Sequence, residues 1–316
     1  MGGFGWSSST DEVLAGKDLS GTSVFITGAN SGLGQETARA MAAKGAHIIM
    51  AGRDQAKLDE AVAAILGTVS KAQLDTITLD LGSLESIRAA TSRARQRFDK
   101  IDLLINNAGV MACPFMHTAD GFEMQFGTNH LGHFALTAEL MPLIERGHAK
   151  RIVNLSSRGH HFAAVDFDDP NFEHRPYDPW VSYGQSKTAN VLFTVGLEQR
   201  FAVLGIHAYA VHPGGIQTNL GRHMTEEMVA ALMERVTSSD SGFEWKTIPQ
   251  GAATSCWAAT APELEGKGGV YCEDCHVAGV DDVSSSGGVR SYAVNSSYAD
   301  QLWKLSEELT GAKFPS

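Results

Sequence analysis

The sequence predicts an α/β protein, a doubly wound parallel sheet with helices on both faces, folded as a single domain. Three observations predict it. From residue 22 onward, short β-branched apolar runs alternate with longer helical stretches. The runs are near-continuously apolar, as strands buried on both faces must be. No internal repeat or long linker divides the chain, and with 43% hydrophobic and 19% charged residues it can bury the core such a sheet needs. Right-handed crossovers then put ligands at the carboxyl ends of the strands.

The elements follow in order. Ser23–Thr27 is the first strand, and the helix behind it spans Gly32–Lys44 and stops at Gly45. His47–Ala51 is the second strand, followed by a helix from Asp54 to about Leu66. Leu74–Leu79 and Leu103–Ile105 are the third and fourth, with an amphipathic helix over Leu84–Phe98 between them. Long helices over Asn129–Arg146 and Tyr183–Leu204 precede the fifth strand, Arg151–Leu155, and the sixth, His207–Val211. A last strand is expected at the Gly-Gly-Val-Tyr after Gly266, and a last helix near Ala299–Leu309. Two stretches leave the sheet: His160–Trp180, rich in Asp, His and Pro, and Gly214–Pro249, with a short Met-rich helix. Residues 1–20 read as a flexible arm, leaving 21–316 as the domain.

Composition excludes several function classes. A formal net charge of −11 argues against a nucleic-acid surface, which needs clustered Lys and Arg. No run of about 18 apolar residues suggests a membrane span, and the first residues do not resemble a signal peptide, so a cytoplasmic protein is expected. Cys113, Cys256, Cys272 and Cys275 are too few and scattered for a disulfide scaffold and suit a reducing compartment. Cys272, Cys275 and His276 invite a zinc reading, but no second ligand pair accompanies them, and no metal is expected.

The chemistry gathers at strand ends. The first strand runs into Gly28-Ala29-Asn30-Ser31-Gly32-Leu33-Gly34, where glycines allow a tight turn and close approach to a pyrophosphate at a helix N-terminus. The second ends in Gly52-Arg53-Asp54. An acidic residue at the strand end would bind ribose hydroxyls; Arg53 instead suits a 2′-phosphate, favouring NADP(H) while leaving NAD(H) open. Read alone, Arg53 is also an ordinary surface charge and Asp54 a helix cap. Asp80 and Leu81 follow the third strand, where Asp80 equally reads as a turn residue. Asn106-Asn107-Ala108-Gly109 closes the fourth strand.

Tyr183 and Lys187 stand four apart on one helical face, so an ammonium can stabilise a phenolate and make the hydroxyl a usable acid or base. Alone, this spacing says little. Asn154-Leu155-Ser156-Ser157 adds a serine hydroxyl able to hold a substrate oxygen against Tyr183. His160 and His161 either border the substrate or sit in a solvated loop. Met111, Phe162, Trp180 and Trp245 either wall a substrate or pack internally.

Together these residues resemble the short-chain dehydrogenase/reductase family: Thr27–Gly34, Asn106–Gly109, Ser157, Tyr183 with Lys187, and His212-Pro213-Gly214 occur in the family's order, over roughly residues 20–275. Asn129-His130-Leu131-Gly132-His133-Phe134, Leu192-Phe193-Thr194 and Asp274-Cys275-His276-Val277-Ala278 are similar to its retinol dehydrogenase/protochlorophyllide reductase-like group. The resemblance implies a Rossmann-like fold and an NAD(P)(H)-dependent oxidoreductase acting on a fairly apolar small-molecule carbonyl or alcohol. It implies that Ser157 orients the substrate oxygen and Tyr183 exchanges its proton. Lys187 would lower the Tyr183 pKa and hold the nicotinamide ribose, and Asn129 would hold a relay water. Cofactor contacts are expected from Gly28, Asn30, Ser31, Gly32, Leu33, Gly34, Arg53, Asp80, Leu81, Asn106, Ala108, Gly109, Tyr183, Lys187, Pro213, Gly214, Ile216 and Thr218. A homodimer or homotetramer is expected. Residues 1–20 show no counterpart of the membrane-anchoring segment of many retinol dehydrogenases, so a retinoid is not the expected substrate. The competing readings are a carbon–carbon double-bond reductase and a non-catalytic nucleotide sensor.

Overall fold

A computed structural model describes residues 3–221, 224, 228–229, 244–284 and 286–315. Among these, eight strands form one sheet: β1 (Ser23–Thr27), β2 (His47–Gly52), β3 (Gln73–Thr78), β4 (Leu103–Asn106), β5 (Arg151–Leu155), β6 (His207–His212), β7 (Val270–Glu273) and β8 (His276–Val277). Their order is β3-β2-β1-β4-β5-β6-β7-β8, parallel except for the β7–β8 hairpin. β1 pairs on one side with β2 (Ser23 opposite His47) and on the other with β4 (Val24 opposite Leu103). Strand order reverses there, which opens the crevice where such sheets take ligands.

Side chains alternate across the sheet. Val24, Ile26, Ile48 and Met50 face one apolar cluster, whereas Phe25, Ile49, Leu104 and Ile152 face the other. Among the described residues the α-helices of four residues or more are α1 (Thr10–Val13), α2 (Gly32–Ala42), α3 (Gln55–Thr68), α4 (Leu84–Arg97), α5 (Gly132–Ile144), α6 (Pro179–Phe201), α7 (Ile248–Thr260) and α8 (Ser296–Thr310). No helix among the described residues is long and apolar enough to cross a membrane.

Several expectations need correction. Residues 1–20 are not a free arm from Ser9 onward. Ser9 and Glu12 form a capping box on α1, Val13 and Leu14 are buried, and Lys17 Nζ donates to Thr260 O at 2.9 Å. The helix expected over Asn129–Arg146 is preceded by a wider π-type turn, Gly127–Leu131, so α5 begins only at Gly132. α6 begins at Pro179, capped by Asp178, which places Tyr183 past its first turn. α7 was not foreseen, because Gly251–Ala259 are buried all round and show no amphipathic period. The Met-rich helix expected within Gly214–Pro249 falls largely on residues outside those described.

Candidate active site

A cavity of about 1720 Å³ opens at the carboxyl ends of the strands. Its wall includes Gly28, Asn30, Ser31, Gly32, Leu33, Arg53, Asp80, Leu81, Ala108, Gly109, Ser157, Tyr183, Lys187, Pro213, Gly214, Ile216 and Thr218. Gly34, Asn106 and Asn129 lie behind that wall. At Gly34 a Cβ would come within 2.4 Å of Gly28 O and 2.5 Å of Asn107 Nδ2, so this glycine is there for close packing of helix on strand. Asn106 is buried, its Nδ2 donating to Asn154 Oδ1 at 2.8 Å and Thr137 Oγ1 at 3.1 Å.

The N-terminus of α2 is chemically unfinished. Ser31 at its N-cap is extended and makes no side-chain cap bond, whereas Asp54, Ser83, Asp178, Thr247 and Asn295 all cap the helices that follow them. First-turn N–H groups and the positive end of the helix dipole therefore face the cavity, a donor set that fits a pyrophosphate. Gly28 and Gly32 have φ of +65° and +56°, the left-handed region glycine takes without strain. At the far end Arg53 is exposed on the cavity rim, while the Asp54 carboxylate accepts from Lys57 N at 3.2 Å as a helix cap.

Thr27 joins the two halves of the site, a role the sequence did not signal. Its Oγ1 accepts from Asn107 N and Ala108 N, both at 2.9 Å, and also meets His133 Nε2 at 2.9 Å. With both acceptor directions used, the hydroxyl hydrogen goes to Nε2. His133 Nδ1 then carries the proton it donates to Asn129 O at 2.9 Å. Burial holds His133 down to about 4, consistent with that neutral ring.

The Asn129 side chain is committed to protein. Oδ1 accepts from Val110 N at 2.8 Å, and Nδ2 donates to Val110 O and Ser186 Oγ, both at 2.9 Å. Both amide hydrogens are taken, which leaves the oxygens of Asn129 as the atoms a relay water would meet.

Tyr183, Ser157 and Lys187 meet at the opposite wall. Tyr183 is only 3% exposed. It fits because residue 159 is glycine: a Cβ there would lie 2.6 Å from Tyr183 Cε1. Ser157 stands beside Tyr183 and opposes the rise of its phenol, and its Oγ accepts from Gly159 N at 3.0 Å. Lys187 Nζ donates to Leu155 O at 3.2 Å and lies 5.6 Å from the Tyr183 ring centroid. Burial pushes the Tyr183 phenol up to about 12, opposed by the nearby Ser157 hydroxyl, and pushes Lys187 down to about 8. In this structure desolvation thus outweighs the lowering of Tyr183 expected from Lys187.

Neither His160 nor His161 sits in a solvated loop. His160 is fully buried, with Nδ1 2.7 Å from Ser157 O and Nε2 accepting from Arg290 N at 3.2 Å; His161 Nε2 meets Gly288 O at 3.0 Å. Met111, Phe162, Trp180 and Trp245 all line the cavity. Cys272 and Cys275 are buried while His276 is exposed, and no group of three His, Cys, Asp or Glu among the described residues is arranged to hold a metal.

Comparison with known proteins adds to this geometry. The family described as short chain dehydrogenase matches residues 22–229. Retinol dehydrogenase 14 of Homo sapiens is 38% identical over 306 residues, covering 93% of this chain and 87% of the relative. Short-chain dehydrogenase/reductase prx1 of Penicillium roqueforti is 40% identical over 290 residues, covering 89% and 83%. A crystal structure of an uncharacterized protein from Mycobacterium Paratuberculosis superposes with a TM-score of 0.75 at 35% identity, covering 99% of this chain and all of that one. The chain belongs to the short-chain dehydrogenase/reductase family, in its retinol dehydrogenase-like group.

Proposed function

We propose that this oxidoreductase interconverts a carbonyl and an alcohol on an apolar small molecule, with NADP(H) preferred and Tyr183 as the acid/base. The observation that carries the reading is the Ser157–Tyr183 hydroxyl pair on the wall of the same cavity as the uncapped α2 N-terminus. Enzymes of the family generally use NAD(P)(H). When bound, that cofactor supplies or accepts the hydride. The protein's part is position and proton transfer. Ser157 holds the substrate oxygen, and Tyr183 Oη gives up its proton as the alkoxide forms and takes one back in the reverse direction. Lys187, as the ammonium, stabilises the phenolate that results. Asn129 acts as a positioning residue behind Gly109 and Lys187, through Val110 and Ser186.

Arg53 supports NADP(H). It stands on the cavity rim at the end of β2, and its acidic neighbour Asp54 is engaged as a cap. Two variants test the reading with a panel of apolar aldehydes and ketones, following cofactor oxidation. Tyr183→Phe is expected to lose roughly 10²–10⁴-fold in kcat while cofactor affinity stays within a few-fold. Near-normal turnover by that variant would overturn the assignment. Arg53→Ala is expected to weaken NADPH binding about tenfold or more and to leave NADH nearly unchanged, read by fluorescence titration. Equal losses for both cofactors would remove the 2′-phosphate argument.

A further inference from the structure

Arg158 follows Ser157 directly and lines the same cavity. It is half-buried, and its backbone N donates to His212 Nδ1 at 3.2 Å. Its guanidinium, however, makes no side-chain hydrogen bond and has no carboxylate within 4.0 Å among the described residues. Every other buried or half-buried arginine among those residues is engaged. Arg39 holds Glu36 and Asp11, Arg151 holds Glu265, and Arg175 reaches Gln185 and Asp169. Arg200 holds Asp300, and Arg290 donates to the carbonyls of Asp281 and Ser284.

The Arg158 guanidinium is thus free to take a partner from the cavity, and its planar fork matches a carboxylate better than any neutral group. Glu273 also lines the cavity and feels the Arg158 charge, but it lies more than 4.0 Å from the guanidinium, and its Oε1 accepts from Gly288 N at 2.9 Å. The same cavity also carries the apolar side chains of Met111, Phe162, Trp180, Leu220 and Met224. The cavity thus combines a reacting end at Tyr183, apolar side chains and, next to Ser157, a cation without a partner among the described residues.

We propose that Arg158 is a specificity residue and that the preferred substrate is an apolar carbonyl compound, or its alcohol, that carries a carboxylate. The reacting end rests on the function proposed above; the carboxylate contact does not need turnover to be measured.

The test is calorimetric binding of a medium-chain ω-oxo carboxylate and its methyl ester to the full chain, with Arg158→Gln and Arg158→Lys beside the unsubstituted protein. The acid should bind at least tenfold tighter than the ester. Arg158→Gln should bring the two within about twofold, and Arg158→Lys should restore part of the preference. Equal binding of acid and ester by the unsubstituted protein, or a preference that survives Arg158→Gln, overturns the proposal. Turnover of the same pair is followed separately. Selective binding without turnover sinks the carbonyl–alcohol chemistry and leaves Arg158 standing. Turnover without selectivity sinks only the role of Arg158.

Discussion

At Tyr183 two opposed effects set the protonation chemistry. Burial raises the phenol to about 12, so the hydroxyl keeps its proton throughout the neutral range and is ready to act as an acid. The group that titrates within the working range is Lys187, pushed down to about 8. Below that value the ammonium is present to stabilise the phenolate left by proton transfer; above it the charge is lost. Carbonyl reduction is therefore expected to be flat in kcat/KM below about pH 8 and to fall above it. Lys187→Arg, whose charge persists, should move the break upward or abolish it. A profile unchanged by that substitution would assign the break to another group. The residues at this scale were legible in very different degrees. Ser157, Tyr183 and Lys187 stood out because their chemistry fixes residue type and spacing. Gly159 did not, since its role is to vacate room for a ring 24 positions away in sequence. Arg158 did not either, because an unpaired charge shows only once its neighbours are placed.

The strand-to-helix turn is the element on which the site depends. Gly34 sits against Gly28 O and Asn107 Nδ2, so a methyl group there must displace backbone rather than a flexible side chain. Gly34→Ala is expected to cost about 1–3 kcal/mol of stability through overpacking. It should also weaken cofactor binding, because the displaced atoms belong to the cavity floor. Thermal melts with and without NADPH check both, and a variant that melts and binds like the original would show that the turn has slack. Strands were easy to read because β-branched apolar runs mark them, and β5 was placed at its observed bounds, Arg151–Leu155. Strand ends were harder: β2, β4 and β6 each run one residue further, into Gly52, Asn106 and His212, where polar or small residues hide the continuation. α7 and the turn before α5 were invisible for another reason. One is buried on all sides, and the other differs from an α-helix only in its hydrogen bonding.

Across the whole molecule, several histidines are stored in neutral form. Burial holds His130 and His160 near 3 and His133 near 4, against an ordinary value of 6.5. Each is depressed in the fold, so the unfolded chain takes up protons first as pH falls. Their contribution to stability is fully present above pH 6.5 and drains away between 6.5 and about 3–4. At pH 5 the loss is on the order of 1–2 kcal/mol per histidine. Tm should drop steeply between pH 6.5 and 5, and His160→Asn should flatten that slope; a Tm that holds level to pH 5 would contradict the assignment. The doubly wound parallel sheet, with its ligand side at the carboxyl ends of the strands, followed from the sequence because alternation of strands and helices leaves few topologies open. The anchoring of α1 did not, since a four-residue helix carries almost no periodic signal. That anchoring bears on the order of events during synthesis. Lys17 grips the carbonyl of Thr260, 243 positions later in the chain. The turn that carries Lys17 can dock only after Thr260 has been made, by which point β1 to β6 have all left the ribosome.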